Sequence, residues 1–224
     1  MTSGSPLTSV DLARRALLYS AWARDRLRLR WLRFLHPGLE VDPTAHASFA
    51  VARLNIAPDA RLRIGPRAAT ERIPGALSLI LHPGSEVVLE EGAWLRTEVG
   101  PIVITAWPGA RVVIGPEVLL NGCSVSAKSE VTFERKSQVG PGSRIYDSDQ
   151  HDLDDARPER TAPVRIGEYA WVSSDVTVMR GVTIGAHSII GARGIVNRDI
   201  PPHTLAFGSP AKPKGEVGDR TNAR

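Results

Sequence analysis

One histidine and two aspartates lie close together near residue 150, where residues 145–152 read Ile-Tyr-Asp-Ser-Asp-Gln-His-Asp. Imidazole is the side chain best suited to accept and release a proton near neutral pH, so His151 is a candidate general base. A neighbouring carboxylate, Asp147 or Asp149, would fix the tautomer of the imidazole and stabilise its cation. The spacing leaves open which aspartate contacts His151, because alternate residues of a strand share one face. The alternative is an ordinary surface histidine in a loop.

A six-residue repeat surrounds this segment. Aliphatic residues recur every six positions at Ile166, Val172, Val178, Ile184, Ile190 and Val196. Small or compact residues follow four positions later, at Ala170, Val176, Val182, Ser188 and Gly194. Two further runs are Val113, Leu119, Val125, Val131 and Phe133, Val139, Ile145. A period of six fits neither a helix nor simple strand alternation. It predicts short strands and turns stacked in coils around a narrow aliphatic core.

The repeat is interrupted at His151. This residue takes the next core position after Ile145, and the segment from Asp152 to Thr161 is polar and charged. The period resumes at Ile166, fifteen residues after His151 instead of a multiple of six. We therefore expect a loop that leaves the coil with His151 at its root.

The composition supports this architecture. The chain has 224 residues, and only 5% of them are aromatic, which fits a prism too narrow for large rings. Residues 1–40 contain seven arginines and three acids, so the formal net charge of +4 lies there and residues 41–224 balance at 21 basic and 21 acidic groups. The single cysteine, Cys123, excludes an internal disulfide and favours a reducing compartment. The sequence shows no membrane-spanning apolar run and no secretory signal pattern, so a cytoplasmic location is expected.

The arginine-rich leader is predicted to be a helix from about Val10 to Leu35, ended by His36-Pro37-Gly38. The expected division is a helical segment over 1–40, a β-helix over 41–215 and a polar tail over 216–224. The helix could pack on its own protein or on a neighbouring subunit. It could instead make peripheral contact with the inner face of a membrane through residues 10–36, where Trp22 and Trp31 accompany the arginines. Nucleic-acid binding is disfavoured because no recognised motif accompanies the charge.

Several stretches between residues 85 and 215 resemble the hexapeptide-repeat acyltransferases, and most closely the branch of maltose, galactoside and exopolysaccharide O-acetyltransferases. They include Pro-Val-Arg-Ile-Gly (163–167), Gly-Val-Thr-Ile-Gly (181–185), Asp-Ile-Pro-Pro (199–202) and Gly-Ser-Pro-Ala-Lys (208–212). The resemblance implies an all-β fold, a left-handed parallel β-helix, although parallel crossovers are usually right-handed. It also implies a homotrimer with active sites between neighbouring prisms. Acetyl-CoA would be the co-substrate, a saccharide the acceptor, and no metal or nucleic acid would be needed.

The resemblance also assigns site residues. His151 would remove the proton from an acceptor hydroxyl, which then attacks the thioester, and Asp149 would support it. Asn121 and Asp147 would contact the acceptor. Residues matching positions that contact CoA are Ser174 and Ala192 along the pantetheine arm, Asn197 and Arg198 near the nucleotide, and Lys212 in the last loop. Two departures from the family pattern are Ser209, where asparagine is usual, and Ser173, where glycine is common.

Two other functions are compatible with a β-helix. A zinc enzyme like the carbonic-anhydrase relatives would need three ligating histidines. The six here, at 36, 46, 82, 151, 187 and 203, include no close pair with ligand spacing. A non-enzymatic scaffold would need neither an isolated loop histidine nor the Pro-Ala-Lys segment. The enzyme is therefore the favoured prediction.

Overall fold

A computed structural model describes the backbone of residues 9–223 and the side chains from residue 17 onward. Helix α1 (Ser9–Leu35) precedes a short 3-10 helix (Ala47–Val51) and 22 strands, which form three sheets. The first sheet contains β1 (Leu39–Val41), β3 (Arg61–Ile64), β6 (Glu86–Leu89), β9 (Arg111–Ile114), β12 (Glu130–Phe133), β15 (Val164–Ile166) and β18 (Thr183–Ile184). The second contains β4 (Ala69–Thr70), β7 (Trp94–Arg96), β10 (Leu119–Asn121), β13 (Gln138–Val139), β16 (Trp171–Val172), β19 (Ile189–Ile190), β21 (Thr204–Gly208) and β22 (Ala211–Glu216). The third contains β2 (Arg53–Ile56), β5 (Leu77–Leu81), β8 (Ile102–Ala106), β11 (Ser124–Ala127), β14 (Arg144–Tyr146), β17 (Thr177–Val178) and β20 (Ile195–Val196).

The chain winds through the three sheets in turn, and successive strands of each sheet pair in parallel except for the final β21–β22 hairpin. Each coil has three corners. We call the turn from the first to the second sheet corner I, the turn from the second to the third corner II, and the turn from the third to the first corner III. The prediction of a left-handed parallel β-helix preceded by an α-helix is confirmed.

The aliphatic repeat forms the core. All six residues of the run from Ile166 to Val196 are fully buried. The corners need small residues because the next coil packs directly against them. At corner I, a Cβ on Gly185 would lie 2.3 Å from the backbone nitrogen of Pro202, which is closer than packed atoms tolerate.

The earlier run through Val113 and Leu119 is a register error of the sequence analysis. Both side chains are only partly buried, whereas their neighbours Ile114 and Leu120 are fully buried. Leu120 pairs with Val139, 19 residues further along, so this coil holds one residue more than three hexads. Corner II of this coil is one residue short, because Val125 lies five positions after Leu120 whereas Ile145 lies six positions after Val139. Gly122, with a φ of 41°, is in this short corner, and the additional residues of the coil fall at corner III between Val125 and Phe133. The short corner explains why Val125 is buried although Leu119, six positions earlier, is not.

The predicted loop is present at corner III. Ile145 pairs with Val178, and Val178 pairs with Val196. The coil that contains the loop therefore has 33 residues where the next has 18, and the fifteen additional residues leave the prism between β14 and β15.

Helix α1 packs on the N-terminal end of its own β-helix. Leu29 is buried there, and Asp25 accepts hydrogen bonds from Nε (2.7 Å) and Nη2 (3.2 Å) of Arg72. Arg26 Nη2 donates to the carbonyl oxygen of Ala45 at 2.9 Å. Packing on its own protein is therefore the alternative that the structure supports for the second half of the helix. Within residues 9–223, no helix has the length and apolar character needed to cross a bilayer.

Candidate active site

Asp147 anchors the root of the loop. Its side chain is fully buried, and its two carboxylate oxygens accept hydrogen bonds from the backbone N–H groups of Lys128 and Ser129, both at 2.7 Å. Its carbonyl oxygen accepts a third from the N–H of Ala162 at 2.8 Å, at the far end of the loop. Burial raises the pKa of the Asp147 carboxyl above its usual value, and the backbone donors oppose that shift. That Asp147 contacts the acceptor stays a prediction; in the structure its carboxylate is buried and both of its oxygens accept backbone hydrogen bonds.

Asp149 is held by two arginines. One carboxylate oxygen accepts from Nε of Arg180 in the next coil, and the other lies 3.5 Å from Nε of Arg160 in the loop. Arg180 holds the pKa of the Asp149 carboxyl below its usual value. Asp149 and His151 share no hydrogen bond or ion pair within the described residues, so the structure does not show the expected support of the imidazole. Asp149 instead joins the loop to the coil above it.

The two arms of the loop pair with each other next to His151. Ser148 and Thr161 form an antiparallel β-bridge, and the N–H of Asp149 donates to the carbonyl oxygen of Arg160 at 3.0 Å. Lys128 of the preceding coil forms an ion pair with Glu159 at 2.7 Å and thereby lowers the pKa of that carboxyl. The stem of the loop is therefore tied to the coils on both sides, while the His151 side chain is exposed to solvent.

A polar and aromatic surface continues from the loop down corner III. Trp107 stacks on His82 with ring centroids 4.7 Å apart, and the ammonium group of Lys128 lies 5.1 Å from the Trp107 ring. Trp107 Nε1 donates to Ser126 Oγ at 3.0 Å, and Ser126 Oγ donates to Oε1 of Gln150 at 3.3 Å. This surface reaches Gln150, the residue before His151, and offers hydrogen-bonding groups and an aromatic ring to a bound molecule.

A second group of predicted site residues lies at corner II. The Asn121 side chain donates to the carbonyl oxygen of Val139 at 3.0 Å. Ser174 follows β16 two coils later, and its carbonyl oxygen accepts from the N–H of Arg193, next to the exposed Ala192. The structure therefore brings Asn121, Ser174 and Ala192 to one corner but not to His151 of the same chain, because the width of the third sheet separates corners II and III.

The predicted cationic residues lie near the C-terminal end. Asn197 and Arg198 are exposed at corner III directly after β20. Lys212 is exposed in β22, where it pairs with Phe207 across the hairpin. Asn197 and Arg198 thus share a corner with His151, two coils further along the prism.

Sequence reasoning missed three residues around His151, namely Lys128, Gln150 and Arg180. One signal could have revealed Arg180, because it precedes Arg198 by eighteen residues, or three hexads, and so must share its corner. Lys128 and Gln150 offered no such signal, since the coils around them deviate from eighteen residues. Among residues 9–223 no group of three or more His, Cys, Asp or Glu is arranged to hold a metal ion.

Comparison with known proteins gives several relatives. No protein-family model matches the chain. It is 36% identical over 110 residues to a Schizosaccharomyces pombe protein named "Putative acetyltransferase", a match that covers 47% of this chain and 53% of that protein. It is 34% identical over 127 residues to Nodulation protein L of Rhizobium meliloti, covering 53% of this chain and 69% of that protein. The chain thus spans about half the length of the first relative and just over two thirds of the second.

The fold has a solved counterpart. The crystal structure of the polySia specific acetyltransferase NeuO aligns with a TM-score of 0.50 at 23% sequence identity, and the alignment covers 77% of this chain and 78% of that one. This similarity concerns the fold. Together, the hexad core, the ejected loop and the relatives confirm the resemblance seen in the sequence at the level of the family. The chain belongs to the hexapeptide-repeat acyltransferase family.

Proposed function

We propose that the protein is a CoA-dependent O-acyltransferase that transfers acetyl from acetyl-CoA to a hydroxyl group of a sugar or polysaccharide precursor. The observation that carries the proposal is His151, an exposed imidazole in the one loop that interrupts the hexad core of the C-terminal coils. The acetyltransferase names of the relatives and of the NeuO structure support the reaction class. The word polySia in the latter title supports a saccharide acceptor.

In the proposed reaction His151 acts as general base. A ring nitrogen takes the proton of the acceptor hydroxyl while the hydroxyl oxygen attacks the thioester carbonyl carbon. The carbon–sulfur bond breaks when the tetrahedral intermediate collapses, and the CoA sulfur leaves and takes up the proton from the imidazolium. The products are the acetyl ester and free CoA thiol. Asp147 and Asp149 take part as positioning residues, because they hold the stem from which His151 projects.

CoA is proposed to bind along the last coils. Ser174 and Ala192 would contact the pantetheine arm at corner II, where exposed backbone groups are available for hydrogen bonds. Arg198 and Lys212 would pair with the phosphates, and Asn197 would lie at the nucleotide end. The exposure of Arg198 and Lys212 supports this role, since neither is in an intramolecular ion pair within the described residues.

The assembly is proposed to be a homotrimer with each active site between two prisms. The predicted residues support this, because Asn121, Ser174 and Ala192 lie at corner II and His151 lies at corner III of the same chain. If corner III of one prism faces corner II of its neighbour, His151 of one chain lies opposite Asn121, Ser174 and Ala192 of the other. An outward-facing row across the second sheet also carries the apolar residues Trp94, Leu119, Trp171 and Ile189, with the polar Gln138 between Leu119 and Trp171. Light scattering coupled to size-exclusion chromatography tests the trimer, and a monomer would contradict it.

The proposed location is the cytoplasm, since the enzyme must work where acetyl-CoA is supplied. Peripheral contact with the inner face of the membrane through residues 10–36 is part of this proposal, and a polysaccharide precursor attached to the membrane would be met there.

The test of the reaction is an acceptor screen. Purified protein is incubated with acetyl-CoA and a panel of sugars, thiol release is followed with a disulfide reagent, and products are identified by mass spectrometry and NMR. The proposal expects acceptor-dependent thiol release and an acetyl ester on a sugar oxygen. A panel that releases no thiol above background, or acetyl found only on amino groups, would overturn it.

A further inference from the structure

From residue 17 onward, helix α1 contacts the β-helix through one face. Leu29 and Asp25 lie on that face, with Asp25 buried and ion-paired to Arg72. The Arg26 side chain adds a hydrogen bond to the backbone of the first coil. These contacts fix the rotation of the helix about its own axis, so the opposite face has a defined direction.

The opposite face carries large apolar side chains. Leu27, Trp31 and Phe34 follow an i, i+4, i+7 spacing and therefore lie in line on one side of the helix. They are 64%, 58% and 82% exposed. We call these three residues the outer stripe. Side chains of this size remain so exposed in a folded protein mainly where a further surface covers them.

The charged residues of α1 beside the outer stripe are all positive, and one acid of the first coil, Glu40, lines a groove with Phe34 and Arg30 at the end of the helix. By helical geometry Arg30 borders the outer stripe on one side, and Arg24 and Arg28 border it on the other; all three are exposed. The only acid among residues 17–35 is Asp25, which is buried against Arg72 on the inner face. A line of leucine and aromatic side chains between two rows of arginine matches the apolar and anionic layers of a lipid bilayer surface.

A cavity opens next to the outer stripe. It has a volume of about 520 Å³, lies between α1 and the first coil, and is lined by Trp22, Arg26, Arg30 and Arg33 of the helix and by Asp42 of the first coil. Three guanidinium groups therefore face one carboxylate, and Oδ1 of Asp42 already accepts hydrogen bonds from Thr44. The Nε atom of Arg26 is buried and has no hydrogen-bond partner among the described residues. A lipid phosphate group in this cavity would pair with several guanidinium groups, for which planar bidentate contacts are well suited.

We infer that the outer stripe inserts into an anionic bilayer surface while the flanking arginines and the cavity receive lipid phosphates. The inference rests on the proposed location at the membrane and does not depend on the proposed reaction. A second copy of this chain is the less suitable occupant, because two stripes packed together would bring the arginine rows of both helices next to each other. Docking through this face would hold the prism at a constant orientation to the membrane.

The test uses the full chain and sedimentation with vesicles. One set of vesicles is phosphatidylcholine alone, and the other contains about one third phosphatidylglycerol, a composition that gives a negative surface potential. Wild-type protein is expected to bind the anionic vesicles at low ionic strength, to bind less at high ionic strength, and to bind the neutral vesicles poorly. Absence of binding to anionic vesicles at low ionic strength would overturn the inference.

Two variants separate the contributions of charge and apolar contact. The basic variant combines Arg24→Gln, Arg28→Gln and Arg30→Gln and is expected to bind about 100-fold more weakly, at about fivefold per arginine. The apolar variant combines Trp31→Ser and Phe34→Ser and is expected to lose about tenfold or more. If the apolar variant binds like wild type, insertion of the stripe is refuted.

A matched control removes the same charge elsewhere. It combines three exposed arginines of the β-helix, Arg67→Gln, Arg111→Gln and Arg135→Gln. Binding by this control is expected to stay within about twofold of wild type, once screening at the assay salt is included. Equal loss in the control and the basic variant would refute the assignment to α1, because net charge alone would then explain the binding.

The same samples distinguish the two proposals. Thiol release by wild-type protein without vesicle binding overturns the docking inference and leaves the proposed reaction standing. Vesicle binding without thiol release from any acceptor overturns the proposed reaction and supports the docking inference. A smaller oligomer for the apolar variant, with no vesicle binding by wild type, would identify the stripe as a protein interface and refute membrane docking.

Discussion

Replacing Asp147 with alanine would remove both acceptors that join the loop root to the preceding coil. The backbone N–H groups of Lys128 and Ser129 each donate to this carboxylate at 2.7 Å, and Asp147 is fully buried. A buried donor left without a partner costs about 1–3 kcal/mol. Because Lys128 and Ser129 are themselves half-buried, water would satisfy part of that need. We therefore expect the attachment of the loop to weaken by about 2–4 kcal/mol.

Asparagine at this position should have a smaller effect. Its amide oxygen can still accept one of the two hydrogen bonds, but its NH₂ group would face the other backbone N–H and could not accept it. The expected loss for Asp147→Asn is about 1–3 kcal/mol, between wild type and alanine. The smaller loss in Asp147→Asn than in Asp147→Ala is therefore expected because the amide keeps one acceptor oxygen in place, although it removes the charge.

Amide hydrogen exchange read by mass spectrometry measures this attachment directly. In Asp147→Ala, the amides of residues 128 and 129 should exchange about 30-fold faster or more, which corresponds to about 2 kcal/mol. The amide of Ala162, which donates to the carbonyl oxygen of Asp147, should also exchange faster. Turnover should fall through kcat more than through the KM for acetyl-CoA, since the loop positions His151 and not CoA.

Asp155→Ala is the matched control for this prediction. Asp155 is an exposed acid in the same loop. This variant should leave exchange at residues 128 and 129 unchanged. Unchanged exchange in Asp147→Ala, or the same increase in both variants, would refute the anchoring role of Asp147.

Three further predictions concern the thiol, the loop pairing and the core. Burial raises the pKa of the Cys123 thiol to about 12, so a disulfide reagent at neutral pH should label native protein negligibly and label one thiol per chain after denaturation. Arg180 lowers the pKa of the Asp149 carboxyl, so Asp149→Asn should reduce the free energy of unfolding by a constant amount at neutral pH. That difference should vanish as the pH falls through the folded-state pKa, below about 4. A difference that grows on acidification would contradict the ion pair. Ile184→Ala should lower the free energy of unfolding by about 2–5 kcal/mol in urea titrations, whereas the exposed neighbour Thr183→Ala should change it by about 0.5 kcal/mol or less.

Much of the fold could be predicted from the sequence because the β-helix is a local repeat. The run from Ile166 to Val196 identified the core residues, since each coil there has eighteen residues and returns the same position to the interior. Where a coil has a different length, the period fails. Val113 and Leu119 were assigned to the core for this reason, because counting back in steps of six from Val125 overlooks the residue that corner II lacks in this coil.

The site was less predictable because its contacts join different coils. Asp149 was expected to support His151 from two residues away, but the nearest strong cation is Arg180, one coil further on. Asp147 was expected at the acceptor, and in the structure it is buried and accepts hydrogen bonds from the backbone donors of residues 128 and 129. The contacts of Asp147 and Asp149 with neighbouring coils depend on the fifteen residues inserted between β14 and β15. Spacing along the chain therefore does not predict these contacts.

The helix presents the same contrast. Its existence and end follow from the absence of Gly and Pro up to Pro37. The sequence does not predict which face of the helix packs inward, because leucines and tryptophans occur around most of the helix. The pairing of Asp25 with Arg72, which lies 47 residues away, selects the inner face and leaves Leu27, Trp31 and Phe34 outside.

We propose that the exposed imidazole of His151 at the loop root is the general base. The most direct test of this proposal compares His151→Ala with His46→Ala, a variant at another exposed histidine, in acceptor-dependent release of CoA thiol. Both proteins should keep the oligomeric state and the acetyl-CoA binding of wild type. We expect kcat to fall by about 100-fold to 10,000-fold in His151→Ala and to be unchanged in His46→Ala. Wild-type turnover in a folded His151→Ala protein would contradict the proposal.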